Sequence, residues 1–456
     1  MPTSEKIGTH QKALSLNLDL SIFGSFAEIG AGQEVARWFL RVGGASGTVA
    51  KTISAYDKEV SDELYGSGSR YVSEPRLQAM LVNEWAQLLV QLHASRGGTT
   101  KFFTFVDTIS ARNYAGTNEC HGWVGLRFLQ EPNGPPSQVI LHINLLDPTN
   151  PQQQEAVGIL GVNLVYAAFF HLGSPEEFLT SVFEELSLAR IEIDLVELDG
   201  PAFATWDRRD LHAFLVSGGF AEAVVFPADN RLAPPDEILY KKALVLAPGR
   251  FDTVGQMHAE LIAGTLKQLP PEELGDSKGG LGLFCLSISP TRSDQNPTTA
   301  REIVKHVDDL QKLGYGVMVF RARELYTMSA FVNRYTKSRI HFAIGLTVLV
   351  RVLQDNYLNL SGSLLEGIAR LFQQNVRLTA YPMALADLQG RETMAGLTGW
   401  TWKENAGMIF AEDLHPPEPM NFLFRYLLAS QFILPAKPNT SRALSRNLRN
   451  ESGELQ

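Results

Sequence analysis

The densest cluster of reactive side chains in the chain is Asn118-Glu119-Cys120-His121-Gly122-Trp123. It opens a strand-like run between two others, so a meander would set it opposite Asp107 on one neighbour and His142 with Asp147 on the other. Adjacent residues of a strand point to opposite faces, so Cys120 and His121 do not form a nucleophile–base pair, and Cys120 would need a base from elsewhere. His121, His142 and Asp107 can converge as metal ligands or as an acid–base set. The same residues also suit an ordinary core holding a buried thiol, a hydrogen-bonded imidazole and the Trp123 indole. Glu192 and Asp194 lie two apart on one strand face, with Glu197 and Asp199 following. Carboxylates at that spacing can hold a divalent cation or share acid–base work, and they equally suit the solvated face of an edge strand.

Basic residues gather in the C-terminal half. Arg321 and Arg323 follow a predicted strand end, and Arg334, Lys337 and Arg339 come soon after. Strand ends in an α/β sheet are where ligands bind, so Arg321, Arg323, Arg334 and Lys337 form a candidate anion site. Basic residues near helix ends also satisfy carbonyls, which is the structural alternative.

The elements that would position these groups follow from periodicity. Residues 14–24 (LSLNLDLSIFG) alternate apolar and polar and predict a strand, followed by a helix over 27–41 that stops at Gly43-Gly44. A second helix over 74–94 begins behind Ser73, with Leu77, Met80, Leu81, Trp85 and Leu88 in its apolar stripe. Strands over 101–110, 121–128 and 138–146 form the meander; a buried helix over 152–172, a helix over 175–187 and a strand over 189–198 follow. Residues 268–280, with Pro-Pro, Gly-Gly and charge, read as a linker. Beyond it, strand 281–289, helix 298–313 and strand 315–320 predict a β-α-β unit; a mostly helical region, a helix over 363–374 and a strand over 375–381 complete the set. The expectation is an α/β (mixed α+β) protein of two domains, the first with a mixed or antiparallel sheet and the second with a β-α-β-containing sheet. An N-terminal tail spans 1–13, the domains 14–268 and 281–436, the linker 269–280, and a flexible basic tail 437–456.

Composition bounds the function. The 456 residues carry 40 Lys+Arg against 49 Asp+Glu, a net charge of −9, which argues against nucleic acid as a partner because neutralising phosphates needs a dense basic face. Two cysteines, Cys120 and Cys285, cannot build a disulfide framework or a four-thiolate zinc site. The longest apolar run, Ala156 to Phe170, is too short to cross a bilayer and carries Asn163, and Pro2 excludes N-myristoylation. The expectation is a cytoplasmic homo-oligomer with no membrane partner and a small anionic molecule as ligand. No metal is assigned, and the cofactor is left unspecified.

The stretch Gly24-Ser25-Phe26-Ala27-Glu28-Ile29-Gly30-Ala31-Gly32-Gln33 resembles the entry of the nucleotidyltransferase superfamily that includes nicotinate and nicotinamide mononucleotide adenylyltransferases. That entry runs from a strand through Gly-Ser/Thr-Phe to a His-x-x-His element at a helix start. The resemblance makes Ser25 a ligand-binding candidate, while Gly30 and Gln33 stand where the two histidines would be. At whole-chain level, through Ile22–Gly47, Asn118–Trp123, Gln153–Leu164, Arg334-Tyr335-Thr336 and Leu364–Phe372, the sequence resembles a family of bacterial proteins prominent in cyanobacteria and carried under a nicotinate-nucleotide adenylyltransferase label. Gly44–Thr52 has the Lys-Thr of a phosphate loop but Ala45 and Ala50 where glycines belong. Two readings follow. One is an enzyme or binding protein for a small phosphorylated or carboxylated molecule, with nucleotides possible ligands and His121, His142, Asp107, Glu192 and Asp194 as its polar chemistry. The other is a non-catalytic oligomeric scaffold with an enzyme-like fold.

Overall fold

The computed structural model describes residues 7–273, 280–288, 299–354, 357, 359–373, 375–388, 397–403 and 407–436. The expected C-terminal tail, 437–456, lies outside the described residues. The protein is a mixed α/β chain of two compact units, one running to Val224 with Thr299–Arg301 and the other comprising the rest.

The first unit contains α1 (Thr9–Leu18), β1 (Ile22–Ile29), α2 (Glu34–Val42), β2 (Val49–Ile53), α3 (Lys58–Tyr65), α4 (Glu74–Arg96), β3 (Lys101–Ser110), β4 (His121–Leu129), β5 (Pro136–Leu145), α5 (Asn150–Phe170), α6 (Pro175–Val182), β6 (Ile191–Asp199) and α7 (Arg208–Gly218). Its six-stranded sheet has the order β2-β1-β3-β4-β5-β6. β1 is parallel to β2 and β3; β3, β4 and β5 form an antiparallel meander, and β6, reached through α5 and α6, is antiparallel to β5. One face is covered by α4: a Cβ on Gly125 of β4 would strike the Leu81 side chain. The other face carries α2 and α5, where a Cβ on Gly161 would meet Val35 and the Phe105 ring. The sequence from Ala156 to Ala168 is buried all round, as a helix must be that packs on β4 and on α1, α2 and α6 at once. Its one polar residue there, Asn163, donates to the carbonyls of Val182 and Glu184 and accepts from Lys12 Nζ at 2.9 Å.

The second unit is built on β7 (Ala223–Phe226), α8 (Pro235–Leu239), β8 (Leu244–Gly249), α9 (Gln256–Gln268), β9 (Leu281–Ser287), α10 (Ala300–Gln311), β10 (Gly316–Phe320), α11 (Leu325–Tyr335), β11 (Ile340–Gly345), α12 (Leu346–Gln354), α13 (Ser363–Leu371) and β12 (Val376–Tyr381). Short pieces follow: β13 (Met383–Ala384), α14 (Leu385–Leu388), β14 (Thr401–Trp402), β15 (Met408–Ile409), β16 (Leu414–His415), α15 (Met420–Ala429) and β17 (Ile433–Pro435). The seven-stranded sheet has the order β17-β12-β11-β8-β9-β10-β7, parallel from β17 through β10.

Four differences from the sequence reading have physical causes. Residues 14–18 belong to helix α1, and the strand starts only at Ile22, so the segment 9–13 is helix and not tail. The buried positions Thr9, Lys12, Ala13, Leu16 and Asn17 recur every three or four residues, whereas Leu18 and Leu20, which made the pattern look alternating, are 67% and 83% exposed. Helix α2 starts at Glu34 instead of Ala27, because β1 runs on to Ile29 and 30–33 form a turn with Gly30 at φ +102° and Gly32 at φ +75°. Residues 244–249, within the span 14–268 expected as the first domain, form β8, which pairs with β9 and β11, so residues 225–268 cluster with the second unit and the contact boundary falls at Val224. The region expected to be mostly helical to Leu353 also contains β11, a buried strand between β8 and β12.

Candidate functional site

The meander sets His121, Trp123, His142 and Asn144 on one face, through the pairs His121↔Asn144 and Trp123↔His142. The next strand interrupts its register: His142 pairs with Leu195 and Ile143 with Ile193, which leaves Asp194 as the extra residue of a bulge. A bulge turns the inserted side chain toward its partner strand, and here it delivers the Asp194 carboxylate to the His142 imidazole. His142 Nδ1 and Asp194 Oδ1 are 2.6 Å apart, Asn144 Nδ2 donates to Asp194 Oδ2 at 2.7 Å, and His142 Nε2 lies 3.1 Å from His121 Nδ1. With the carboxylate accepting, His142 Nδ1 donates, and in the neutral form of the ring Nε2 is left to accept from His121 Nδ1. One hydrogen-bonded chain thus runs from an interior carboxylate through a buried imidazole to the half-buried His121. The Trp123 ring packs on His142 with centroids 4.8 Å apart and narrows the positions the imidazole can take. Glu192, on the same face opposite Asn144, is buried and accepts the Glu222 N–H at 2.7 Å. β6 is an edge strand of its sheet, but the solvated face expected for Glu192 and Asp194 is not found, since both side chains are interior.

Asp107 does not join this group. The register pairs Ser110 with His121 and Asp107 with Val124, and an offset of three residues puts Asp107 on the opposite face. There it stands directly across from Glu28 of β1, with both side chains buried. Glu28 accepts the N–H groups of Val35 and Ala36 at 3.0 and 2.9 Å, capping α2 in place of Gln33, whose side chain makes no cap bond. Asp107 Oδ1 accepts the Ile29 N–H at 3.0 Å, while its Oδ2 is buried without a hydrogen-bond partner. Burial first, and the neighbouring carboxyl second, hold Asp107 well above the usual carboxylate range; burial pushes Glu28 up to about 7 against the pull of its two backbone donors. The sequence reading missed Glu28. Its signal was an acid inside the apolar strand IFGSFAEI, just before Gly30-Ala31-Gly32.

The four basic candidates of the second unit separate into two pairs. Arg321 follows the C-terminal end of β10, where burial lowers its pKa, and the exposed Arg323 is two residues on. Helix α11 then returns to the start of the parallel strand β11, about 16 Å away at 1.5 Å per residue. Arg334 and Lys337 lie at that other edge. The Arg334 guanidinium stands 5.4 Å from the Phe331 ring, and Lys337 Nζ donates to the Asn333 carbonyl. A single anion site of all four is therefore not formed.

Ser25 is a core residue. Its Oγ pairs with Thr104 Oγ1 at 3.2 Å in the middle of β1, so Gly24-Ser25-Phe26 lies inside the strand and not at its end. Gly24 is needed for strand contact, since a Cβ there would sit 2.2 Å from the Phe103 carbonyl oxygen. Lys51 of the loop resembling a phosphate motif lies in β2 and pairs with Glu84 at 2.6 Å.

The fold defined by these elements is a two-unit α/β protein with one mixed and one largely parallel sheet. No protein-family model matches the chain, and no curated protein matches its sequence. Among solved structures it is similar to a competence/damage-inducible protein, CihA, from Agrobacterium tumefaciens, at 20% identity and a TM-score of 0.27 over 36% of this chain and 98% of that one. It is also similar to a competence-damaged (CinA) superfamily protein from Enterobacter cloacae, at 12% identity and a TM-score of 0.25 over 37% of this chain and 95% of that one. A competence or damage-inducible protein from Enterobacter asburiae gives 15% identity and a TM-score of 0.25 over 36% and 99%. Likeness at this level assigns nothing to the site. No helix among the described residues is long and apolar enough to cross a membrane.

Proposed function

We propose that the first unit carries out acid–base chemistry on a small carboxylated or phosphorylated molecule, with His121 as the proton-transferring group and His142 and Asp194 as the residues that position and polarise it. The observation that carries this reading is the three-residue chain across β4, β5 and β6, in which a bulge exists to bring Asp194 to His142. A base held in one tautomer by a second group, itself oriented by a third, is the arrangement that general acid–base catalysis uses. A plain core would satisfy His142 with a single backbone carbonyl and would not need a bulge and a second histidine leading toward the surface. Nucleotides belong among the ligands to be tried, although Gly30 and Gln33 supply no imidazole at the strand-to-helix turn.

The test is a thermal-melt screen of the purified chain against nucleotides, sugar phosphates and dicarboxylates, repeated with His121→Ala and Asp194→Asn. A ligand at about 100 times its Kd adds roughly 2.7 kcal/mol and raises the melting temperature by a few degrees. The reading requires a ligand whose shift, or whose turnover, is lost in His121→Ala. A ligand that shifts both forms equally, or a flat screen, removes it.

A further inference from the structure

The second unit holds a cluster that none of the preceding readings uses. At the N-terminal edge of its parallel sheet, His341 of β11 pairs in register with Arg377 of β12, and Arg339 immediately precedes β11. His341 is buried; its Nδ1 lies 3.1 Å from Thr379 Oγ1 on the neighbouring strand, which leaves Nε2 directed at Glu273. Glu273 belongs to the short turn Pro271–Glu273 that follows α9, and its carboxylate spans the cluster: Oε1 is 3.2 Å from Arg339 Nη2 and Oε2 is 3.4 Å from His341 Nε2. Two features single this arrangement out. First, the charges do not balance. Burial holds His341 down at about 4, so one carboxylate serves two guanidiniums: Arg339 pairs with it, while Arg377, across from His341, donates to the Val376 carbonyl at 2.7 Å and lies 5.2 Å from the Phe432 ring, its pKa lowered by burial first and by Arg339 second. Second, the carboxylate fits poorly, because charge-assisted N–H···O bonds ordinarily close to about 2.7–2.9 Å and both contacts here are longer.

From this geometry we infer that Arg339, His341 and Arg377 form a binding site for a small tetrahedral oxyanion of the phosphate class, occupied here by the chain's own Glu273. A carboxylate has two oxygens and reaches Arg339 and His341. A tetrahedral anion presents more acceptors and more charge, suited to Arg339, Arg377 and the His341 N–H together, and guanidinium forks match its geometry. The site is unlike the candidate of Arg321 and Arg323, which lies at the opposite, C-terminal edge of the same sheet, and it is independent of the His121 chemistry.

Inorganic phosphate binding to the full-length chain, measured by isothermal titration, decides the matter. Glu273→Gln keeps the size of the side chain and removes its charge, so it should bind phosphate at least about tenfold more tightly than the wild type. Adding Arg377→Met to that variant should cancel the gain, with circular dichroism confirming the fold. Equal phosphate affinity in wild type and Glu273→Gln overturns the proposal. So does a gain that survives Arg377→Met, or acetate binding to Glu273→Gln as tightly as phosphate, which would assign the site to carboxylates.

Discussion

The buried pair Glu28 and Asp107 gives the first unit a pH dependence that can be worked out from its geometry. Glu28 ionises at about 7 in the folded chain against an ordinary value of 4.5. A carboxyl with a raised folded value binds its proton more tightly when folded, so the stabilisation is complete below 4.5 and is lost as pH rises through 7. At 1.36 kcal/mol for each tenfold change in proton affinity, the loss between pH 5 and pH 8 is about 3 kcal/mol. The charged groups facing the pair are few. Glu34 of α2 acts on Glu28 and adds to the increase, Arg37 pairs with Glu34, and the only charged side chain of α5, Glu155, pairs with Arg190. Glu28→Gln removes the titration and loses one acceptor for an α2 amide, worth about 1 kcal/mol. The variant should therefore be level with or slightly below the wild type at pH 5 and about 2 kcal/mol more stable at pH 8. Asp107→Asn, which removes the facing carboxyl and keeps the shape, should shrink the wild-type pH dependence without abolishing it. The assay is urea unfolding at pH 5 to 8, followed by tryptophan fluorescence, since Trp38, Trp85, Trp123 and Trp206 all lie in this unit. Parallel pH profiles for wild type and Glu28→Gln would refute the reasoning.

Further outcomes follow from packing. Lys12 is buried and bonded to Glu184 at 2.6 Å, Asn163 and the Ser181 carbonyl, so Lys12→Ala should cost about 3 kcal/mol and Lys12→Met less, as read from denaturation midpoints. Gly30→Ala puts a Cβ 1.8 Å from the Ile109 carbonyl oxygen at a φ of +102°, and should lower stability by at least about 2 kcal/mol in the same experiment. Phe26 is buried between the rings of Phe39, Phe103 and Phe105, so Phe26→Ala should cost about 3–5 kcal/mol. The proposal that the protein is a homo-oligomer requires a mass in sedimentation equilibrium that is a multiple of 50.4 kDa; a single species at that mass contradicts it.

How much of this was legible in the sequence depended on whether local periodicity or long-range register decided the outcome. The three strands of the meander and the long helices α4 and α5 stand close to where their patterns place them, because burial against a sheet imposes a period that neighbouring residues record. Helix α1 was hidden by Leu18 and Leu20, apolar residues that the fold leaves in solvent. The grouping of His121 with His142 and Asp194 depended on register and on a bulge that no local pattern announces. The parity that sends Asp107 to the other face could not be known before the β3–β4 offset was fixed. Arg321 and Lys337 looked like neighbours because sequence distance says nothing about the direction in which α11 travels. His341 and Arg377, 36 residues apart, became neighbours only when β11 and β12 paired.

The central claim is that Asp194, His142 and His121 act as one proton-linked unit. Nitrogen-15 NMR of the imidazoles, in wild type and Asp194→Asn at a pH where both rings are neutral, tests it most directly. The account predicts that both histidines of the wild type carry their proton on Nδ1 and that Asp194→Asn disturbs the tautomer of His142 and, through it, that of His121. Wild-type rings protonated on Nε2, or a His121 signal indifferent to the loss of the Asp194 carboxylate, would contradict it.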